Sequence, residues 1–109
     1  MSAASAPGRL SVRLELQRED ETPDGSGGYV SAWTVVGDIW AQVIPIGTAP
    51  VERAGNRFAE ATHRIVVRAE NAVSAGMRFR KGARLFDIDA VFDPDETGRW
   101  LACMCRERK

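Results

Sequence analysis

The stretch Asp38–Ala69, DIWAQVIPIGTAPVERAGNRFAEATHRIVVRA, decides how this chain is read. Its two ends have the look of buried β-strands. On the left, Ile39, Ala41 and Val43 fall on one face, with Trp40, Gln42 and Ile44 on the other. On the right, Ile65 and Val67 alternate with Arg64, Val66 and Arg68, the period of two that marks a strand. The middle is different. From Pro45 to Ala61 run seventeen residues without a clear period, holding two prolines, two glycines and two arginines. A structureless loop of that length is uncommon in a compact domain and points either to function or to a wrong assignment.

The flanking sequence supplies more strands. RLSVRLELQR places Leu10, Val12, Leu14 and Leu16 on one face and Ser11, Arg13, Glu15 and Gln17 on the other. EDETPDGSGG follows as an exposed hairpin loop rich in turn formers. YVSAWTVVGDIWAQVI runs sixteen residues with strong β content, too long for one flat strand. Gly37 is its natural bulge or bend. Past the long loop, NAVSAG reads as a short connector with a single helical turn, and MRFRKG as a short strand into a Lys81-Gly82 turn. RLFDIDAVFD is expected to face inward through Phe86, Ile88, Ala90 and Phe92, and DPDETG is a tight turn before a last strand, RWLACMCRER. Six short strands at hairpin spacing predict an all-β fold, a small antiparallel barrel or sandwich. The expected organisation is a disordered tail over residues 1–8 and one β-barrel domain over 9–109, with the loop 45–61 projecting from it.

Composition sets outer limits. Apolar content of 44% and charged content of 28% are ordinary for a soluble domain, and no apolar run could span a bilayer. Cys103 and Cys105 sit two apart, a poor geometry for mutual bridging, so the chain reads as intracellular rather than disulfide-built. Net charge is zero, yet charge is segregated. Arg53, Arg57, Arg64, Arg68, Arg78, Arg80, Lys81 and Arg84 share their stretch with only Glu60 and Glu70. Acids gather instead at Glu19–Asp24 and Asp87–Glu96. Such a chain can present one basic and one acidic side, suited to stacking or to facing a polyanion.

Catalytic chemistry finds no support. There is no P-loop, no GxGxxG and no serine elbow. His63 lacks a partner in sequence and reads as structural. With Cys103 and Cys105 it offers three soft ligands, below the four of a structural zinc site, so the cysteines read as core. Asp87, Asp89, Asp93, Asp95 and Glu96 invite a calcium loop, but Ala90-Val91-Phe92 interrupts the alternating oxygens that such a loop requires. No cofactor or metal is expected. The arginine-rich stretch fits a solvated strand face and contact with phosphates equally well, and spacing does not decide between them.

The order of these features resembles the head-closure, or head–tail joining (stopper), proteins of tailed bacteriophages and related gene-transfer particles. The resemblance rests on the amphipathic first strand, on DGSGGYVSAW, and on DIWAQVIPI, where Trp40-Ala41 precedes an apolar-Pro-apolar step. It continues through THRIVVRAENAVSAGMRFRKGARLFDIDAVFDPDETGRWLACMCRE, with Phe86 where a tyrosine is common. It covers about residues 9 to 107.

That resemblance implies a small barrel with a long extended loop, assembled as a ring, hexameric in several members. The ring would lie beneath the adaptor ring of the portal vertex, retain packaged DNA and offer a docking face to the tail terminator protein. Pro45, Gly47, Pro50, Arg53, Gly55 and Arg57 would then belong to a channel-gating loop, with the two glycines permitting movement. Arg53, Arg57, Arg64 and Arg68 are the candidates for facing double-stranded DNA without sequence preference. At about 3.3 Å per residue, a half-loop of about eight residues could reach roughly 26 Å. The partners implied are other copies of the chain, the adaptor ring, the tail and DNA, with no membrane. Two neighbouring readings share these features: a tail-terminator or tail-completion protein, and a small-barrel nucleic-acid-binding module. The latter would want exposed aromatics among the arginines, where Phe58 and Phe79 are the candidates and the alternation turns Phe79 inward.

Overall fold

The computed structural model describes residues 10–52 and 58–108. The stretch read as a tail, residues 1–8, lies outside them. Six strands follow one another: β1 (Val12–Pro23), β2 (Tyr29–Glu52), β3 (Phe58–Arg68), β4 (Arg78–Lys81), β5 (Arg84–Phe92) and β6 (Trp100–Arg108). They form one antiparallel sheet in the order β1-β2-β3-β6-β5-β4, and β4 returns to β1 to close a barrel. The single helical turn is 3₁₀ and comes earlier than expected, at Ala69–Asn71.

Alternation fills the interior, as it must in a small barrel whose strands face it on every second residue. Leu14, Leu16, Ile39, Ala41, Ile65, Val67, Phe79, Phe86, Ile88, Cys103 and Cys105 form one buried cluster, joined by Val73 from the β3–β4 connector. Phe79, wedged between arginines in sequence, is fully buried as its phase requires.

Two bulges set the phase elsewhere. Leu16 pairs with Gly37 but Gln17 pairs with Val35, so Val36 is the extra residue beside the bend foreseen at Gly37. In β5, Ile88 pairs with Cys105 and Ala90 with Met104, which makes Asp89 the extra residue. One inserted residue flips every later side chain to the other face. Ala90 and Phe92, expected inside, therefore point outward, Phe92 being 46% exposed. Val91 takes the inner place and packs on the core.

The Pro45–Ala61 stretch is a paired ribbon rather than a period-free loop. Pro45 pairs with His63, and Ala49, Pro50, Val51 and Glu52 pair with Ala61, Glu60, Ala59 and Phe58. A register shift between Pro45 and Ala49 leaves extra residues on β2, and Gly47 there adopts φ 69°, a left-handed conformation that glycine alone takes readily. The prolines are tolerated because the β1 ladder ends at Val12 and Ala41. Beyond that point, among the described residues, β2 has a neighbour on one side only, the edge position where a missing N–H costs least. Five residues, Phe58–Thr62, continue past the last β3–β6 pair at His63, about 16 Å at 3.3 Å per residue.

A second ribbon leaves the other end of β2. Past Gln17, the last β1 residue paired with β4, Arg18–Pro23 pair only with Tyr29–Thr34. Its turn is held by Asp24, whose Oδ1 accepts from the Ser26 and Gly28 N–H groups at 2.8 and 3.1 Å. Gly25 and Gly27 supply the positive φ values, 83° and 86°.

The β5 phase makes a direct test. Phe86→Ala should cost about 3–5 kcal/mol in a urea titration, the range for truncating a buried aromatic. Phe92→Ala should stay within about 0.5 kcal/mol, as for surface changes.

Candidate interaction surfaces

On the outer face of the barrel, register aligns side chains from four strands. Arg13 pairs with Trp40. Ala41 pairs with Val67, which sets Trp40 beside Arg68, and Arg68 pairs with Trp100. The result is a row in which guanidinium and indole alternate across β1, β2, β3 and β6. The Arg13 guanidinium carbon lies 5.5 Å from the Trp40 ring centroid and that of Arg68 lies 5.1 Å from Trp100, within range of cation–π attraction. Trp40 is 53% exposed. Trp100 Nε1 and Arg64 Nε are buried without a hydrogen-bond partner among the described residues.

Below this row lie two more. Gln42, Val66, Ala102 and Phe92 form the second, and Ile44, Arg64, Met104 and Ala90 the third. Val66 and Ala102 are buried although they point away from the core, because longer side chains flank them on all sides of the sheet. Shallow cavities open on either side of Arg68. One, of about 270 Å³, is lined by Leu10, Trp40 and Arg68. The other, of about 560 Å³, is lined by Arg68, Ala69, Glu70, Gly98, Arg99 and Trp100.

A third cavity, of about 540 Å³, lies between the β1–β2 ribbon and β5–β6, with Glu19, Trp33, Asp87, Asp89, Arg106 and Arg108 in its lining. Its polar groups are matched internally. Arg108 holds Asp87 through two bonds of 2.9 and 3.1 Å, and Arg106 lies 3.6 Å from Asp89. Arg78 sits 3.9 Å over Trp33 and donates to Gln17 Oε1 at 2.6 Å. Burial, with Arg108 nearby, lowers its pKa below the ordinary guanidinium value.

The residues singled out in sequence separate. Pro45 and Gly47 stand at the root of the β2–β3 ribbon and Pro50 within it. Arg53, Gly55 and Arg57 lie outside the described residues. Arg64 and Arg68 are on the outer barrel face, in the third and first rows. Sequence reasoning misses Trp40, Trp100 and Phe92, because it looks for aromatic partners of the arginines only within the basic stretch. Trp40 carries a usable signal: it shares a phase with Gln42 and Ile44, opposite the buried Ile39 and Ala41.

The other candidates resolve into structure. His63 is buried, edge-on to Phe86 at 5.0 Å, with Nδ1 2.9 Å from Thr62 Oγ1 and Nε2 4.0 Å from Glu107 Oε1. Asp93 Oδ1 accepts from the Glu96 N–H at 2.9 Å and Oδ2 from that of Gly98 at 2.7 Å. Asp95 accepts from the Thr97 hydroxyl at 2.6 Å. The acidic turn thus uses its carboxylates to hold its own backbone. Cys103 and Cys105 are free thiols in the core. Burial pushes Cys103 up to about 12 and Cys105 higher still.

The class defined by these features is a closed six-stranded antiparallel barrel with ribbons leaving both ends of one long strand and an arginine–tryptophan row on its wall. The family model for the phage head completion protein matches residues 6–108, and the chain belongs to that family, whose place is the head–tail structure of a virion or virus-like particle. A chain from the virion of a native gene transfer agent particle is 34% identical with a TM-score of 0.71, the match covering 94% of this chain and 98% of that one. A Shigella flexneri 2a protein solved in solution is 25% identical with a TM-score of 0.70, over 94% and 96% of the two chains. No curated protein sequence matches this chain.

The thiols give a measurable consequence. In native buffer near pH 8 neither cysteine should react with a disulfide reagent, while both should react in denaturant. Because their folded pKa values lie above the ordinary 9.0, their contribution to stability is complete below pH 9. It should fall as pH rises from there towards about 12, where only the unfolded chain gains thiolates. Thermal midpoints across that range check the sign.

Proposed function

We propose that this chain forms a ring at the head–tail joint, closing the channel so that packaged DNA is retained and giving the tail a surface to dock on. The observation that carries the reading is the β2–β3 ribbon. It is long, paired along its own length, and anchored in the barrel wall through the Pro45–His63 pair. Arg53 and Arg57 fall in the connection between its strands. In a ring of copies, ribbons directed at the axis would bring those arginines to the DNA backbone. Contacts of that kind hold DNA without reading its sequence, which suits a closure that must also release it. Family membership and the 34% identical chain of the gene transfer agent particle support the same reading. The ring would be hexameric, with the adaptor ring above and the tail terminator below.

In this arrangement DNA contact belongs to Arg53 and Arg57. Arg64 and Arg68, on the wall beside Trp40 and Trp100, are better suited to a protein neighbour. A second reading draws on that same row. A small barrel carrying arginines interleaved with indoles has what single-strand binding asks for, stacking platforms beside positive charge. Titrating a labelled oligodeoxynucleotide with the purified chain tests it, and binding in the micromolar range at moderate salt would favour it.

Particles made without the chain decide the main reading. Electron microscopy with a nuclease-protection assay should find capsids that have packaged and lost DNA, with free mature tails beside them. DNA-filled heads bearing overlong tails would move the chain to tail termination, and normal tailed particles would remove the assembly role. Shortening the ribbon by deleting Thr48–Asn56 should leave the barrel folded but reduce nuclease-protected DNA. Unchanged protection would show that the ribbon does not gate the channel.

A further inference from the structure

All six large hydrophobic side chains that are exposed among the described residues fall on two surfaces. Tyr29, Val30, Val35 and Val36 are on the β1–β2 ribbon and its base, and Trp40 and Phe92 are on the barrel wall. Clustering of that kind marks interaction sites, whereas scattered exposed apolar residues need no explanation. The two surfaces also differ in charge. The ribbon has Arg18 against Glu19, Asp20, Glu21 and Asp24, and Arg18 is already held by Asp20 at 3.1 Å. On the wall, Arg13 is held by Asp38 at 3.8 Å beside the first row, while Arg64 and Arg68 stand in three rows that contain no carboxylate.

Among the described residues neither surface is covered. The ribbon meets the barrel where Trp33 lies beneath Arg78, a contact that leaves its apolar residues exposed. A two-stranded ribbon is marginally stable alone in water, and this one extends six residues, about 20 Å, past Gln17, its last ladder pair with β4. The wall displays tryptophan, arginine, methionine and phenylalanine around the buried Val66 and Ala102, the residue types enriched at protein interfaces, with tryptophan and arginine the usual centres of binding energy.

We propose that the acidic β1–β2 ribbon of one copy docks on the arginine–tryptophan wall of the next. The occupant is a second copy because the complementary partner of each surface, in charge and in exposed apolar groups, is carried by the same chain. Two different patches on one molecule make a head-to-tail contact, which closes into a ring when the rotation permits. The inference rests on the ring of the proposed function and names the surfaces that build it. Trp40 and Arg68 are its anchors, with Glu21 supplying the opposing charge, since Glu19 faces Arg78 and Arg108 of its own chain across the cavity beneath the ribbon.

The test is a charge exchange in producer cells that lack the native chain. Arg68→Glu alone, and Glu21→Arg alone, should each lower the amount of chain per purified particle by about tenfold or more, the effect of losing an interface anchor. Combining the two should restore most of it. Trp40→Ala, which changes no charge, should also lower incorporation and should not be rescued by the ribbon reversal. Circular dichroism of each purified variant checks that the barrel persists. Single variants that incorporate normally, or a combination no better than its parts, would overturn the interface. The closure reading would still stand if particles without any chain lose DNA, so the two failures are separable. If Arg68→Glu instead abolishes oligodeoxynucleotide binding and the exchange rescues nothing, the wall is a nucleic-acid surface and the interface is wrong.

Discussion

The fold depends on a seam of three residue pairs. β1 meets β4 only at Glu15–Arg80, Leu16–Phe79 and Gln17–Arg78, and without that contact the sheet would be open, with two edges ready to pair with other chains. Its inner side is apolar, Leu16 against Phe79, both buried. Its outer side is a polar clamp. Gln17 donates to Glu15, Arg78 donates to Gln17, and the Arg78 guanidinium lies over Trp33. A half-buried cation is costly unless its donors and its face are satisfied, and here the amide and the indole share that task. The same indole ties the base of the acidic ribbon to the barrel, so the seam that closes the sheet also orients the ribbon.

β2 is the other economy of the structure. One strand of 24 residues serves in turn as half of the acidic ribbon, as barrel wall and as half of the long ribbon. The irregularity at Val36 marks the first transition and the one between Pro45 and Ala49 marks the second. A bulge bends a strand and re-aims the residues beyond it while the two strands stay paired. The two ribbons therefore leave opposite ends of one continuous strand and are joined through its covalent backbone. For a protein set between two larger assemblies, that continuity is mechanically apt.

How far the sequence discloses this structure varies by element, for identifiable reasons. Val12, Leu14 and Leu16 alternate with polar residues, and their faces are legible directly because one side is core and the other solvent. Gly37 and Phe79 are legible by the same logic. The β5 phase is not, since Asp89 sits in an Asp-Ile-Asp-Ala series that offers an apolar residue to either face. Nothing local announces the extra residue. The β2–β3 ribbon is hidden for a different reason. Its strands run beyond the β1 ladder and past the last β3–β6 pair at His63, and Pro45, Pro50 and the positive φ at Gly47 mimic the punctuation of a loop. The arginine–tryptophan row is illegible in principle from one segment, because Arg13, Trp40, Arg68 and Trp100 come from four strands and meet only through register.

Zero net charge acquires a meaning once the charges are placed. A uniformly basic barrel would bind nucleic acid wherever it met it, and a uniformly acidic one would repel its own copies. Here the carboxylates of Glu19, Asp20, Glu21 and Asp24 sit on one ribbon, while Arg64 and Arg68 sit on a wall that has none in its three rows, its one neighbouring carboxylate, Asp38, being taken by Arg13. Opposed patches of modest size make contacts that are individually weak in salt. Copies held on a common platform face one another at high effective concentration, and the same weak contacts then suffice. In the proposed ring, the chain would thus stay dispersed until it is gathered at the joint, and charge segregation rather than net charge would decide where it assembles.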